Sequence, residues 1–228
     1  MTGVTWARLT GVSYLGLALT GLLGFLTVRP MLYVDGDPAA TVSNLVERTG
    51  LAHVDLALEL GVVVTQAVTA ALFYRLFREF APDAAWALAA FGLANAVVVL
   101  GSVVALSTAV TVAGTASLAP GGDVGATVQL AHHVSATLWQ VGAVFFGLWL
   151  IPMGWVAVVS GRLPKMLGRL LIVGGAGYVL SAFLDLGLAD APAVLVGALA
   201  VPASIGEFWI IGYLLVAGIR PRRSEVSA

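Results

Sequence analysis

Charge in this chain is confined to short clusters, and between them run six apolar stretches: residues 6–28, 51–77, 84–112, 130–159, 166–187 and 194–218. Each is about as long as the roughly 20 residues a helix needs to cross hydrocarbon. That pattern leaves few folds. A segment in lipid must pair all its backbone N–H and C=O groups internally, so it becomes a helix or part of a closed barrel. These runs are continuous rather than alternating, which selects helix. With 10% charged residues against about 25% in soluble domains, no water-facing surface of ordinary polarity can be built. The expected fold is all-α: a polytopic membrane bundle of six transmembrane helices in a single domain spanning 1–228.

The first run reads as a retained span. Arg8 precedes it as in a signal peptide, but it outlasts a secretory apolar core and ends in LTVRPMLYV with no small-x-small cleavage site. Within it Gly16, Thr20 and Gly24 recur every fourth residue, a ridge that admits a close neighbour. GDPAATVSNLVERTG reads as one short outer amphipathic helix, with Asp37 as N-cap, Pro38 in the first turn, Gly50 as the stop, and Val42, Leu45 and Val46 on one face. Pro152 and Gly154 mark an expected kink in span four. On span five, Gly177, Ser181 and Asp185 form a second ridge.

Positive charge sets the orientation. Arg8, Arg75, Arg78, Arg162, Lys165, Arg169, Arg220, Arg222 and Arg223 fall on one side, and only Arg29 and Arg48 on the other. Nine against two places both termini in the cytoplasm and agrees with an even number of spans. The tail RPRR could also attract anionic lipid. Trp6, Trp86, Trp149 and Trp155 read as an inner interfacial belt.

The chain has no cysteine, so disulfides, thiol nucleophiles and thiolate metal sites are excluded. A net charge of −1 without a basic surface excludes nucleic acid as a partner. The bilayer itself, a small-molecule or lipid ligand, and a second copy of the chain are the partners this composition allows.

VFFGLWLIPMGWVAVVSGRLPKMLGRLLIVGGAGYVLSAF and VPASIGEFWIIGYLLVAG resemble the bacterial membrane family of domain of unknown function 4386. GDPAATVSNLV and LFYRLF fit the same pattern in the first half. The resemblance implies a six-span protein of the bacterial cytoplasmic membrane and brings no activity, so polar residues are judged on physics.

A carboxylate at the centre of a membrane helix costs about 2.5–3.5 kcal/mol on insertion scales. Counting at about 1.5 Å per residue places Glu207 near mid-membrane and Glu59 about two turns below the outer surface. His53, Asp55, His132, His133 and Asp185 fall near the outer boundary. Asp55, Glu59 and Gln66 share one stripe of span two; His132 or His133, Ala136 and Gln140 form a stripe of span four. If both stripes face inward, Glu207, Glu59, Gln140, Gln66, Asp55 and Asp185 line a polar funnel open to the outside. Glu207 could instead bond across to Gln140 or Tyr178 as glue between spans.

Three functions fit. The first is an outward-facing pocket that binds a small ligand, ion or lipid group, with no cofactor. The second is a membrane-embedded lipid hydrolase that holds a divalent metal on His53, His132 or His133 and uses a carboxylate as base; no tight motif such as HExxH accompanies these histidines. The third is a structural or partner subunit packed through its small-residue ridges.

Overall fold

The structure is a computed structural model that describes residues 3–188 and 190–219; Arg220, Arg222 and Arg223 lie outside the described residues. Among those residues it is all-helical: α1 (Gly3–Leu23), α2 (Pro38–Glu47), α3 (Thr49–Phe77), α4 (Pro82–Gly114), α5 (Val124–Ser160), α6 (Lys165–Gly187) and α7 (Ala193–Val216). Six of the helical segments are long and apolar enough to cross a membrane, α1 being prolonged to Met31. The chain is thus a multi-pass membrane protein by the length and composition of its helices. The spans extend the sequence expectation by one to six residues at their starts, most in α5, which begins at Val124 rather than 130. Asp123 accounts for that early start: its carboxylate accepts the Ala126 N–H at 2.9 Å and caps the helix before the apolar run begins.

The residues fall into two compact units. One, here the α2 unit, comprises 16–64 and 96–139; the other, the terminal unit, comprises 1–15, 65–95 and 140–228.

In the α2 unit, α1 runs into a π-helical turn, Gly24–Val28, and a 3-10 turn, Arg29–Met31. α2 begins as expected, Asp37 accepting the Ala40 N–H at 2.9 Å with Pro38 in the first turn. It ends at Glu47, and Gly50 stands in the first turn of α3 instead of stopping α2. Leu45 is buried in an apolar cluster with Leu32, Leu106, Val112 and Val128, Val42 packs beside them, and Val46 is turned outward. Asn44 donates to the Leu32 carbonyl at 3.3 Å and Gln129 to that of Val34 at 3.0 Å, which ties the preceding loop to α2 and α5. The Gly16–Thr20–Gly24 ridge serves packing: a Cβ on Gly61 would lie 2.9 Å from the Thr20 methyl.

The terminal unit is built on aromatic and glycine contacts. Tyr14, Phe73 and Trp149 meet edge to face, their ring centroids 5.2–6.1 Å apart. Trp149 is therefore core, not belt: it is wholly buried, whereas Trp86 and Trp155 are exposed. Sequence depth placed it near an interface, but the face of α5 it occupies points at α1 and α3. Gly147 and Gly154 of α5 lie against the backbone of Gly175 and Gly168 of α6, a separation of seven residues on both helices. Gly174 meets Ala203 of α7, and Gly177 meets the Leu199 carbonyl. Such contacts substitute backbone proximity for a hydrophobic force that lipid does not supply. Pro152 sits inside α5 without ending it.

Candidate functional site

The costliest residues to bury in the α2 unit form a single cluster. The π-helical turn after α1 widens the helix just before Arg29, and Arg29 is only 8% exposed. Its Nη2 donates to Glu59 Oε2. Glu59 Oε1 accepts from Ser102 Oγ and, at 2.9 Å, from Trp139 Nε1. Ser135 lies 2.7 Å from Ser102; with the Ser102 proton directed to Glu59, Ser135 is the donor between them. Glu59 thus has three donors from three other segments. Charge-assisted bonds of this kind offset the desolvation of a buried carboxylate.

Asp55 is different. It is buried and sits 3.6 Å from Arg29 Nε, beyond hydrogen-bond range, and neither carboxylate oxygen accepts a hydrogen bond. Gly24 borders its carboxylate, since a Cβ there would be 4.0 Å from Asp55 Oδ1. Arg29 also stacks over Phe25 at 4.3 Å, and Phe25 meets Trp139 edge to face at 4.4 Å. A cavity of about 10 Å³ lies among Thr20, Gly24, Phe25, Arg29, Glu59 and Trp139, room for about one water. Toward α2 the cluster is bordered by Tyr33, which stacks on His132 with centroids 4.3 Å apart and planes 8° from parallel. Burial, and then the nearby Asp55 charge, push the Tyr33 phenol well above its ordinary range, so it stays a neutral hydroxyl.

Glu207 belongs to the terminal unit, where Tyr14 Oη donates to its Oε1 at 2.6 Å. Its partner is neither Gln140 nor Tyr178, the two offered as possible glue between spans.

Of the other residues expected at a site, Gln66 is fully buried on the Asp55–Glu59 stripe, and both its amide atoms lack a partner. Gln140 and Asp185 are exposed. On α5 the inward residues are Ser135 and Trp139; the expected stripe of Ala136 and Gln140 lies one position on, about 100° around the helix, and is exposed. His53 and His133 are exposed, the His53 ring bonding the Thr49 carbonyl at 2.8 Å. Among the described residues no three His, Asp or Glu side chains come together as a metal site would need. The three histidines point to separate surroundings because they occupy different faces of α3 and α5.

Arg29 is the member of the cluster that the sequence pattern does not single out, since it counts there only among the outer-side positive charges. The signal was present: an arginine directly at the end of an apolar run, with two acids four residues apart opening the next span.

A family model with the description "Domain of unknown function (DUF4386)" matches residues 9–218. No curated protein and no solved structure matches the chain.

Proposed function

From the premise that the chain belongs to the DUF4386 family, whose description supplies no activity, we propose that it is a binding protein of the bacterial cytoplasmic membrane. Its Arg29–Asp55–Glu59 cluster takes up a small positively charged ligand, a metal cation or a protonated amine. The observation that carries this reading is charge balance. Two buried carboxylates face one guanidinium, Glu59 has its donors, and Asp55 has none. A buried carboxylate with no hydrogen bond is costly as it stands, and a cation at Asp55 removes that cost.

The positive-inside count supports access from outside the cell. Since Arg29 is buried against Glu59 rather than held in a loop, Arg48 is the one loop cation left on that side, which supports the reading that both termini are cytoplasmic.

The test is thermal unfolding of the purified protein in detergent with sodium, magnesium or methylammonium chloride, against N-methylglucamine chloride at equal ionic strength. One of the three raises the midpoint of the wild type and leaves Asp55→Asn unmoved. Equal midpoints in all four salts, or a rise that survives in Asp55→Asn, defeat the proposal.

A further inference from the structure

Glu207 lies near the middle of α7. Among the described residues it makes no ion pair, and its one hydrogen-bond donor is Tyr14. Tyr14 is 2% exposed and wedged edge-on against Phe73 and Trp149, so its hydroxyl is fixed in place. The titratable groups facing Glu207 from its neighbours are phenols, Tyr14 on α1 and Tyr178 on α6, and neither supplies positive charge. Glu207 is half-buried, and Ile205, Phe208 and Trp209 beside it are exposed. Those side chains belong to a span whose surroundings are lipid, so the exposed face of α7 next to Glu207 borders the bilayer.

We propose that Glu207 is a proton-binding site seated in the membrane, its carboxyl gripped from within by Tyr14 and reached from the lipid side. A carboxylate there has no cation to balance it and little water to solvate it, so a proton is the ligand that neutralises it. Tyr14 then sets how tightly the proton is held. Its O–H donates to the ionised form and favours release, and without that donor the acid keeps its proton to higher pH.

Dicyclohexylcarbodiimide tests this directly. The reagent is lipophilic and adds across a protonated carboxyl: the acid proton passes to a carbodiimide nitrogen and the carboxyl oxygen bonds the central carbon. Rearrangement to a stable N-acylurea follows, with nothing expelled. The full chain in phosphatidylcholine vesicles is treated from mildly acidic to alkaline pH, and adducts are mapped by peptide mass spectrometry. The expected adduct is on Glu207, is lost in Glu207→Gln, and falls about tenfold per pH unit above its midpoint. Tyr14→Phe moves that midpoint upward. A water-soluble carbodiimide leaves Glu207 unlabelled. Absence of a Glu207 adduct in the wild type at every pH overturns the proposal without need of any variant. So does labelling by the water-soluble reagent, or a Tyr14→Phe midpoint at or below that of the wild type.

Discussion

The α2 unit and the terminal unit hold their helices together by opposite means. In the first, Arg29, Glu59, Ser102, Ser135 and Trp139 tie α1, α3, α4 and α5 through charged and polar bonds around a buried ion pair. In the second, glycines bring the α5, α6 and α7 backbones into contact, and the half-buried acid Glu207 has a phenol for company. Both arrangements answer the same difficulty, that lipid is as apolar as leucine and does not drive helices together. Their failure modes differ. A polar cluster fails when one partner is removed, because the others are left buried and unpaired; a glycine seam fails when an atom is added.

Substitutions that separate these modes can be ranked. Arg29→Met leaves Asp55 and Glu59 as uncompensated buried charges and is expected to cost about 3–5 kcal/mol in reversible unfolding in detergent. The companion Arg29→Met with Glu59→Gln recovers part of that loss. If the single variant is no less stable than the double, the ion pair is not what holds the α2 unit. Gly175→Val places its Cβ 2.6 Å from the Gly147 carbonyl and 2.9 Å from Ile151. The backbone cannot yield as a side chain would, so about 1–3 kcal/mol is expected, read by the same unfolding. Gly187→Ala, where nothing lies within 4 Å, serves as its silent control. Tyr14→Phe deletes one hydrogen bond and costs about 1 kcal/mol, far below Arg29→Met; equal losses would erase the contrast between the units.

The smallest effect concerns pH. Tyr33 holds its proton more tightly folded than unfolded, so its share of stability is complete below the unfolded value near 10 and fades as pH climbs from there toward the folded one. Tyr33→Phe therefore lessens the alkaline fall in melting temperature and leaves the neutral-pH value within a few tenths of a kcal/mol.

Much of the architecture was legible from the chain. The six spans, the Asp37–Pro38 start of α2 and the inward stripe of Asp55, Glu59 and Gln66 all follow from local rules of length, capping and 3.6-residue periodicity. The errors share one cause. Trp149 was assigned to an interface, Gln140 to an inner wall and Arg29 to a loop, and in each case the position along the chain was sound while the direction of the side chain was not. Adjacent residues on a helix point about 100° apart, so a one-position error in locating the inward face exchanges Trp139 for Gln140.

Sequence alone determined that this protein lives in a bilayer, how many times it crosses, and that its acids must be neutralised somehow, because hydrocarbon imposes those requirements on each segment separately. Which group neutralises which acid was decided by tertiary structure. Arg29 meets Glu59 and Tyr14 meets Glu207 across separations of 30 and 193 residues, and no local rule relates residues so far apart. Only the packing of helix against helix gives Glu59 its hydrogen-bond donors and leaves Asp55 with an ion pair to Arg29 but no hydrogen bond.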